Sequence, residues 1–308
     1  MSDAVIAVDV GGTTIKGAIV DRAGHFSDEI AAPTPAQRGP DAVVAELLTV
    51  IGELRHRADG VGAIGVVVPG AVDADAGIAR YSANLGFHDV PLREMVAGAT
   101  GLPAVLDHDV RTAGVAERTV GLTAQVSDYL LAVIGTGIAA VVGSGGRELR
   151  GSANMAGELG HIPVWPEGEP CPCGQRGCLE RYASAAAVSR HYARLSGREA
   201  VSAGEVVALR DSDPAAGEAW RAATEALGIA LATSTMLFDP ALIVLAGGLS
   251  EAGDALLEPV RAELGARVRW RDVPPVALSR LGGRAGRVGA AVLAWQALGE
   301  RDFSSWRA

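Results

Sequence analysis

All three cysteines of the chain fall between Gly157 and Glu180, in a run that reads Gly157-Glu158-Leu159-Gly160-His161 and then Cys171-Pro172-Cys173-Gly174-Gln175-Arg176-Gly177-Cys178-Leu179-Glu180. With His161, the cysteines Cys171, Cys173 and Cys178 offer one imidazole and three thiolates, the donor set of a tetrahedral structural Zn²⁺. The intervening glycines and prolines let the backbone fold around such an ion. Thiols scattered over a surface in a reducing cytosol would have no reason to gather with a histidine in one short loop. Four strong ligands leave no open position for a catalytic water, so the metal is expected to hold shape and the chemistry to lie beside it. The closed knuckle is also expected to bring its bracketing carboxylates, Glu158 and Glu180, close together, where they can grip a polar ligand.

The rest of the chain must supply the chemistry, and composition bounds what that is. A chain of 308 residues, 49% hydrophobic, can bury a large core and divide into two lobes. Its formal charge of −9 and pI near 5.2 argue against a nucleic-acid or anionic-membrane surface, both of which select clustered Lys and Arg. Anything phosphorylated must then be held locally. Forty glycines, well above the usual share of about 7%, come without a collagen period, so they mark tight turns and close backbone approach. The N-terminus lacks a basic region and its apolar run is broken by Asp9, so no signal peptide is read. The uncharged run Tyr129 to Gly146 is interrupted by Gly135-Thr136-Gly137 and reads as two buried strands around a turn rather than a membrane span. A cytoplasmic location is expected.

Along the chain, Val5 to Val10 is a buried strand that runs into Gly11-Gly12-Thr13-Thr14 and a second apolar run, Ile15 to Val20. A Walker loop is excluded, because Gly17 is followed by Ala18-Ile19 and not by Lys-Ser/Thr. What remains is either an ordinary hairpin or a turn whose N–H groups and threonine hydroxyls face a phosphate, with Asp9 at the strand end to hold a hydrated Mg²⁺. Positions Val44, Leu47, Leu48, Ile51 and Leu54 predict a helix over 41–57 that serves core packing. Val61 to Val68 reads as a strand closed by Pro69-Gly70, followed by a hairpin turn at 73–77. Asn84-Leu85-Gly86-Phe87 reads as a loop before a helix starting near Pro91, where Asn84 either faces a substrate or forms the turn. Asp107-His108-Asp109 lies where the strand 104–106 meets a helix from Val110, a position suited to catalysis or to a helix cap.

The second half repeats the plan. Leu130 to Ile134, Gly135-Thr136-Gly137 and Ile138 to Val142 predict another strand, turn and strand. Its formal dinucleotide fingerprint is set aside, since Gly143-Ser144-Gly145-Gly146 stops the chain where a long helix is needed. Two such hairpins imply two similar lobes, each offering a phosphate loop to the cleft between them, which suits a nucleoside triphosphate. An alanine-rich helix, 215–238, a strand over 241–246, a third glycine turn at Gly247-Gly248 under adenine and ribose, and a last helix over 289–298 complete the reading. The boundaries expected are a small lobe, 1–118, joined by the C-terminal helix at about 289–308, and a large lobe, 119–288, with the zinc knuckle at 161–178. The ATP and phosphate set is Asp9, Gly11, Gly12, Thr13, Thr14, Lys16, Gly135, Thr136, Gly137, Gly247 and Gly248.

Asp9-Val10-Gly11-Gly12-Thr13, Gly135-Thr136-Gly137, Gly157-Glu158-Leu159-Gly160-His161 and the run Cys171 to Glu180 together resemble the ROK (repressor, open reading frame, kinase) family of sugar kinases, over nearly the whole chain. The family's repressors carry an N-terminal helix-turn-helix domain, for which a phosphate loop beginning at residue 9 leaves no room, so the resemblance points to the kinases. It implies an α/β, two-lobed, actin-like (ribonuclease-H-like) ATPase fold and ATP with Mg²⁺. It also implies phosphoryl transfer to a hexose, at its 6-hydroxyl, in a homo-oligomer, dimer or tetramer. The acceptor expected is glucose or a glucose-type amino sugar, with N-acetylglucosamine, N-acetylmannosamine or 3-amino-glucose as alternatives, polyphosphate as an alternative donor, and a non-catalytic sugar sensor as the competing role. Carried over by position, Asp109 is the base and Glu158, His161 and Glu180 are sugar contacts, with His161 also a zinc ligand. The family has Asn-Asp-Ala-Asn where this chain has His108-Asp109-Val110-Arg111, so an imidazole, His108, replaces the amide that touches the sugar.

Overall fold

The computed structural model describes residues 2–307. The chain divides into two compact units, one of residues 1–124 with 284–308 and one of residues 125–283, and each has its own hydrophobic core.

In the first unit the strands are β1 (Ala4–Val10), β2 (Thr14–Asp21), β3 (Phe26–Pro33) and, after helix α1 (Pro40–Arg57), β4 (Val61–Val68). A small antiparallel sheet of β5 (Ala71–Asp73), β6 (Ile78–Ser82) and β7 (Phe87–Val90) follows, then α2 (Leu92–Thr100), β8 (Ala104–His108) and α3 (Asp109–Val120). The main sheet has the order β3-β2-β1-β4-β8, with β1 antiparallel to β2 and parallel to β4. Continuous β-branched runs such as Val5-Ile6-Ala7-Val8 suit this position, because a strand covered on both faces needs no polar alternation, and those four residues are fully buried. Helix α1 buries Val43, Val44, Leu47, Val50, Ile51 and Leu54, a helical stripe laid on that sheet.

The second unit repeats the order. Strands β9 (Tyr129–Ile134), β10 (Ile138–Ser144) and β11 (Arg147–Glu148) form the antiparallel part. Helices α4 (Glu180–Ala183), α5 (Ala185–Ser196), α6 (Ala203–Leu209) and α7 (Pro214–Phe238) lead to β12 (Leu242–Ala246), α8 (Asp254–Arg267) and β13 (Val276–Leu278). The sheet reads β11-β10-β9-β12-β13, with β12 parallel to both neighbours. Helix α7 is apolar nearly all round and is correspondingly buried along most of its length. Among the described residues no helix is long and apolar enough to cross a membrane.

The last helix, α9 (Ala285–Ala297), belongs to the first unit and packs on β1, β4 and α3. Small residues allow a close approach: a Cβ on Gly65 of β4 would stand 2.1 Å from the Ala290 carbonyl oxygen, and one on Gly289 would stand 2.0 Å from that of Thr112. One sequence expectation needs correction: Phe87 is not a loop residue but starts β7. Phe26–Pro33, which carries three charged or hydroxylic residues in a row and for which the sequence reading gave no assignment, is a strand. Pairing with β2 along one edge supplies what its composition does not.

Candidate functional site

In the first unit the β1–β2 hairpin presents Asp9, Gly11, Gly12, Thr13, Thr14 and Lys16. Gly11 shapes the turn rather than offering its own N–H to a ligand, since that group donates to the Thr14 carbonyl at 3.0 Å. Its carbonyl in turn accepts from the Thr34 hydroxyl at 2.6 Å, which leaves Gly12 and Thr13 as the outward part of the loop. Asn84, in the exposed turn before β7, stacks on this loop: a Cβ on Gly12 would stand 3.2 Å from the Asn84 Cβ. Asp9 lies under α9, with Gly286 so close that a Cβ there would stand 2.8 Å from its Oδ2. Burial first, and Asp109 second, push the Asp9 carboxyl up to about 6, against the opposing pull of Lys16 and Arg287.

Asp109 is the first residue of α3 and stands at the C-terminal end of the parallel strand β8. Its Oδ1 accepts from the Val110 N–H at 2.7 Å and lies 3.2 Å from His108 Nε2. The N-cap residue of α3 is His108, whose side chain makes no capping bond, and Asp109 is the first-turn acid whose Oδ1 takes the Val110 N–H. Burial pushes this carboxyl up to about 6 as well, opposed chiefly by the Val110 N–H and Arg111. Asp9, at the end of β1 before the glycine turn, and Asp109, at the end of β8, are thus two carboxyls shifted upward within one unit.

In the second unit Gly135 closes the β9–β10 turn by donating to the Gly137 carbonyl at 2.9 Å, and Thr136 and Gly137 are exposed. Gly247, at a φ of 86°, fits where a Cβ would stand 2.5 Å from the Ile134 carbonyl oxygen, and Gly248 follows it. The segment Gly157–His161 docks on β10: Ala140 N–H donates to Gly157 O at 2.7 Å, and Gly160 rests against the Ile138 carbonyl. The N–H of the same Ile138 donates to Glu180 Oε2 at 2.8 Å. One residue at the head of β10 thus anchors Glu180 and the turn that carries Glu158 and His161.

The metal ligands converge as the sequence predicts. His161, Cys171, Cys173 and Cys178 each bring a donor atom within 4.8 Å of the others. Cys173 Sγ and Cys178 Sγ are 3.7 Å apart and Cys171 Sγ and His161 Nδ1 3.9 Å, close to the edges of a tetrahedron with metal–sulfur bonds of about 2.3 Å. Burial and the two neighbouring sulfurs push the Cys178 thiol up to about 12, the response of crowded anions that a divalent cation would reverse. The donor set therefore fits Zn²⁺, held by these four residues. With Nδ1 turned to the sulfurs, His161 Nε2 faces Glu158 Oε2 at 3.8 Å. The ring thus connects the knuckle to an exposed carboxylate.

Two contributors escaped the sequence reading. Gly286 carries no motif of its own, and Arg287, buried in α9 and paired with Glu29, was indistinguishable from a surface arginine. The only signal was the glycine spacing of Gly286 and Gly289 inside a helix, which implies close approach to something.

Comparison with known proteins closes the identification. The ROK family model matches residues 5–297. The chain is 33% identical to the glucokinase of Halalkalibacterium halodurans, over 94% of both chains, and 32% identical to that of Streptomyces coelicolor, over 94% of this chain and 96% of the relative. Its fold is similar to the crystal structure of a ROK family glucokinase from Streptomyces griseus in complex with glucose and AMPPNP, with a TM-score of 0.84 and 30% identity over 95% of this chain and 99% of that one. With two sheets of one order, two glycine turns and a Cys₃His knuckle, the chain belongs to the ROK family.

Proposed function

We propose that this protein is an ATP-dependent hexokinase that transfers the γ-phosphoryl group to the 6-hydroxyl of glucose or a glucose-type amino sugar, with Asp109 as the general base. The observation that carries the reading is the placement of Asp109: a carboxylate at the C-terminal end of the parallel strand β8, 3.2 Å from an imidazole nitrogen, its pKa raised to about 6 by burial. A base does most for a hydroxyl when its pKa approaches the working pH. A sugar sensor on this scaffold has no need of that group.

Phosphoryl transfer asks a protein mainly to align an acceptor oxygen with the γ-phosphate and to neutralise charge. Asp109 takes the proton of the acceptor hydroxyl as the oxygen attacks. The N–H groups and hydroxyls of Gly12, Thr13 and Thr14, with Lys16, hold the phosphates, as do Thr136 and Gly137; Gly247 and Gly248 pack against the nucleoside. Asp9 would hold Mg²⁺, which would supply charge neutralisation on the phosphates. Glu158, Glu180 and His161 Nε2 take the sugar hydroxyls, and Asn84 is assigned a further sugar contact; a carboxylate accepts such bonds more strongly than a neutral amide. Bound by His161, Cys171, Cys173 and Cys178, Zn²⁺ would hold the knuckle in shape and orient His161. We assign the enzyme to the cytoplasm and to a homo-oligomer, for which the exposed apolar side chains of Leu237 and Trp270, 68% and 61% accessible, offer surface.

The test is an ADP-release assay across glucose, N-acetylglucosamine, N-acetylmannosamine, mannose and 3-amino-glucose, with ATP and polyphosphate compared as donors. Glucose or 3-amino-glucose with ATP should give the highest kcat/KM. No turnover on any of the five, with binding of a sugar retained, would favour the sensor.

A further inference from the structure

Asp107, 4% exposed, receives three donors on its Oδ1: the His108 N–H at 2.7 Å, and Arg111 Nε at 2.8 Å and its second terminal nitrogen at 2.7 Å. The same guanidinium reaches the Val72 carbonyl of β5 at 3.0 Å. One buried ion pair therefore ties the end of β8, the first turn of α3 and β5 together. On that fixed backbone the His108 ring turns toward Asp109, with Nε2 3.2 Å from Oδ1, the oxygen that also accepts from the Val110 N–H. The Val110 N–H and His108 Nε2 thus meet on a single carboxylate oxygen of Asp109, and His108, together with the Arg111 that pairs with Asp107, stands where the family motif has amides.

We propose that His108 is a positioning residue for Asp109: donation from Nε2 to Oδ1 fixes the carboxylate so that Oδ2 takes the proton of the acceptor hydroxyl, while the Asp107–Arg111 pair holds the His108 backbone in place. This rests on Asp109 being the base. It assigns the imidazole a different task from the sugar contact that its position in the motif implies. The proton must sit on Nε2 for this role. A glutamine at 108 places its amide nitrogen near the position of Nε2, whereas an asparagine reaches only as far as Nδ1, so the two amides separate positioning from simple polarity.

The experiment compares wild type with His108→Ala, His108→Gln, His108→Asn and Asp109→Asn, measuring kcat, KM for glucose and for ATP, and the kcat/KM ratio across the sugar panel. His108→Ala should lower kcat about tenfold, the scale of a misplaced reacting group, and leave both KM values and the sugar ratios within about twofold. His108→Gln should recover most of the lost kcat and His108→Asn should not. The inference is overturned if His108→Ala keeps its kcat but shifts glucose KM or sugar preference, or if asparagine restores turnover as well as glutamine does. An active Asp109→Asn would instead remove the base assignment itself, and an inactive Asp109→Asn beside a fully active His108→Ala would remove only the role of His108.

Discussion

The two glycine hairpins share one topology and are equipped in opposite ways. Beside β1–β2, Asp9 and Asp109 are both partly covered, and loss of water with the charge of Asp109 lifts the Asp9 carboxyl while loss of water lifts that of Asp109. Around β9–β10, Glu180 is hydrogen-bonded to the Ile138 N–H, and Glu158 faces a histidine whose other nitrogen is turned to three sulfurs. The same strand order therefore carries raised carboxyls beside one turn and hydrogen-bonded or histidine-facing carboxylates beside the other, which is the division the proposed function uses. A repeated backbone fixes where a turn points, and the residues just outside the repeat decide what it does there.

The sharpest way to break this comparison is Asp109→Asn, which keeps shape and removes the proton acceptor. We expect kcat to fall about 10²–10⁴-fold with glucose affinity nearly unchanged. Steady-state kinetics with calorimetric glucose binding tests it, and a variant retaining about half of wild-type kcat would return Asp109 to a structural role.

Damage to the holding side should show the reverse pattern. Metal analysis is expected to find one zinc per chain, and Cys173→Ser or chelation should weaken glucose binding about tenfold to hundredfold, because His161 and Glu158 lose their support. The melting temperature should fall with the affinity. Protein purified without added zinc that holds well under half an equivalent, or a zinc-free protein with unchanged glucose KM, would refute this.

The smallest effect is in stability. The ordinary Asp value of 3.8 applies to the unfolded chain, and both folded carboxyls are raised to about 6, so the native state binds the extra protons. The stabilisation of the neutral forms is complete below about 3.8 and is lost as the pH rises through about 6. Activity follows the opposite course, rising through about 6 as the base ionises. Asp9→Asn should then raise the melting temperature of the nucleotide-free protein by a few degrees at pH 8 and by less at pH 5. An equal gain at both values would show that repulsion and burial do not govern this pair.

The zinc set was legible because chelation needs particular donors, and a chain with three cysteines has few ways to place them; His161, Cys171, Cys173 and Cys178 converge as read. The paired hairpins were legible for a similar reason: uninterrupted apolar runs around glycine turns suit only strands buried on both faces. Strand β3 was not, because its charged residues gain their place from pairing along β2, a contact remote from local propensity. Nor was Gly286, whose missing Cβ makes room for Asp9. The sequence by itself determined which atoms could bind a metal and which runs had to be buried. Only the tertiary structure decided which carboxylates lost water, and so which were raised toward 6, because desolvation depends on what packs against a group and α9, which covers Asp9, lies at the far end of the chain.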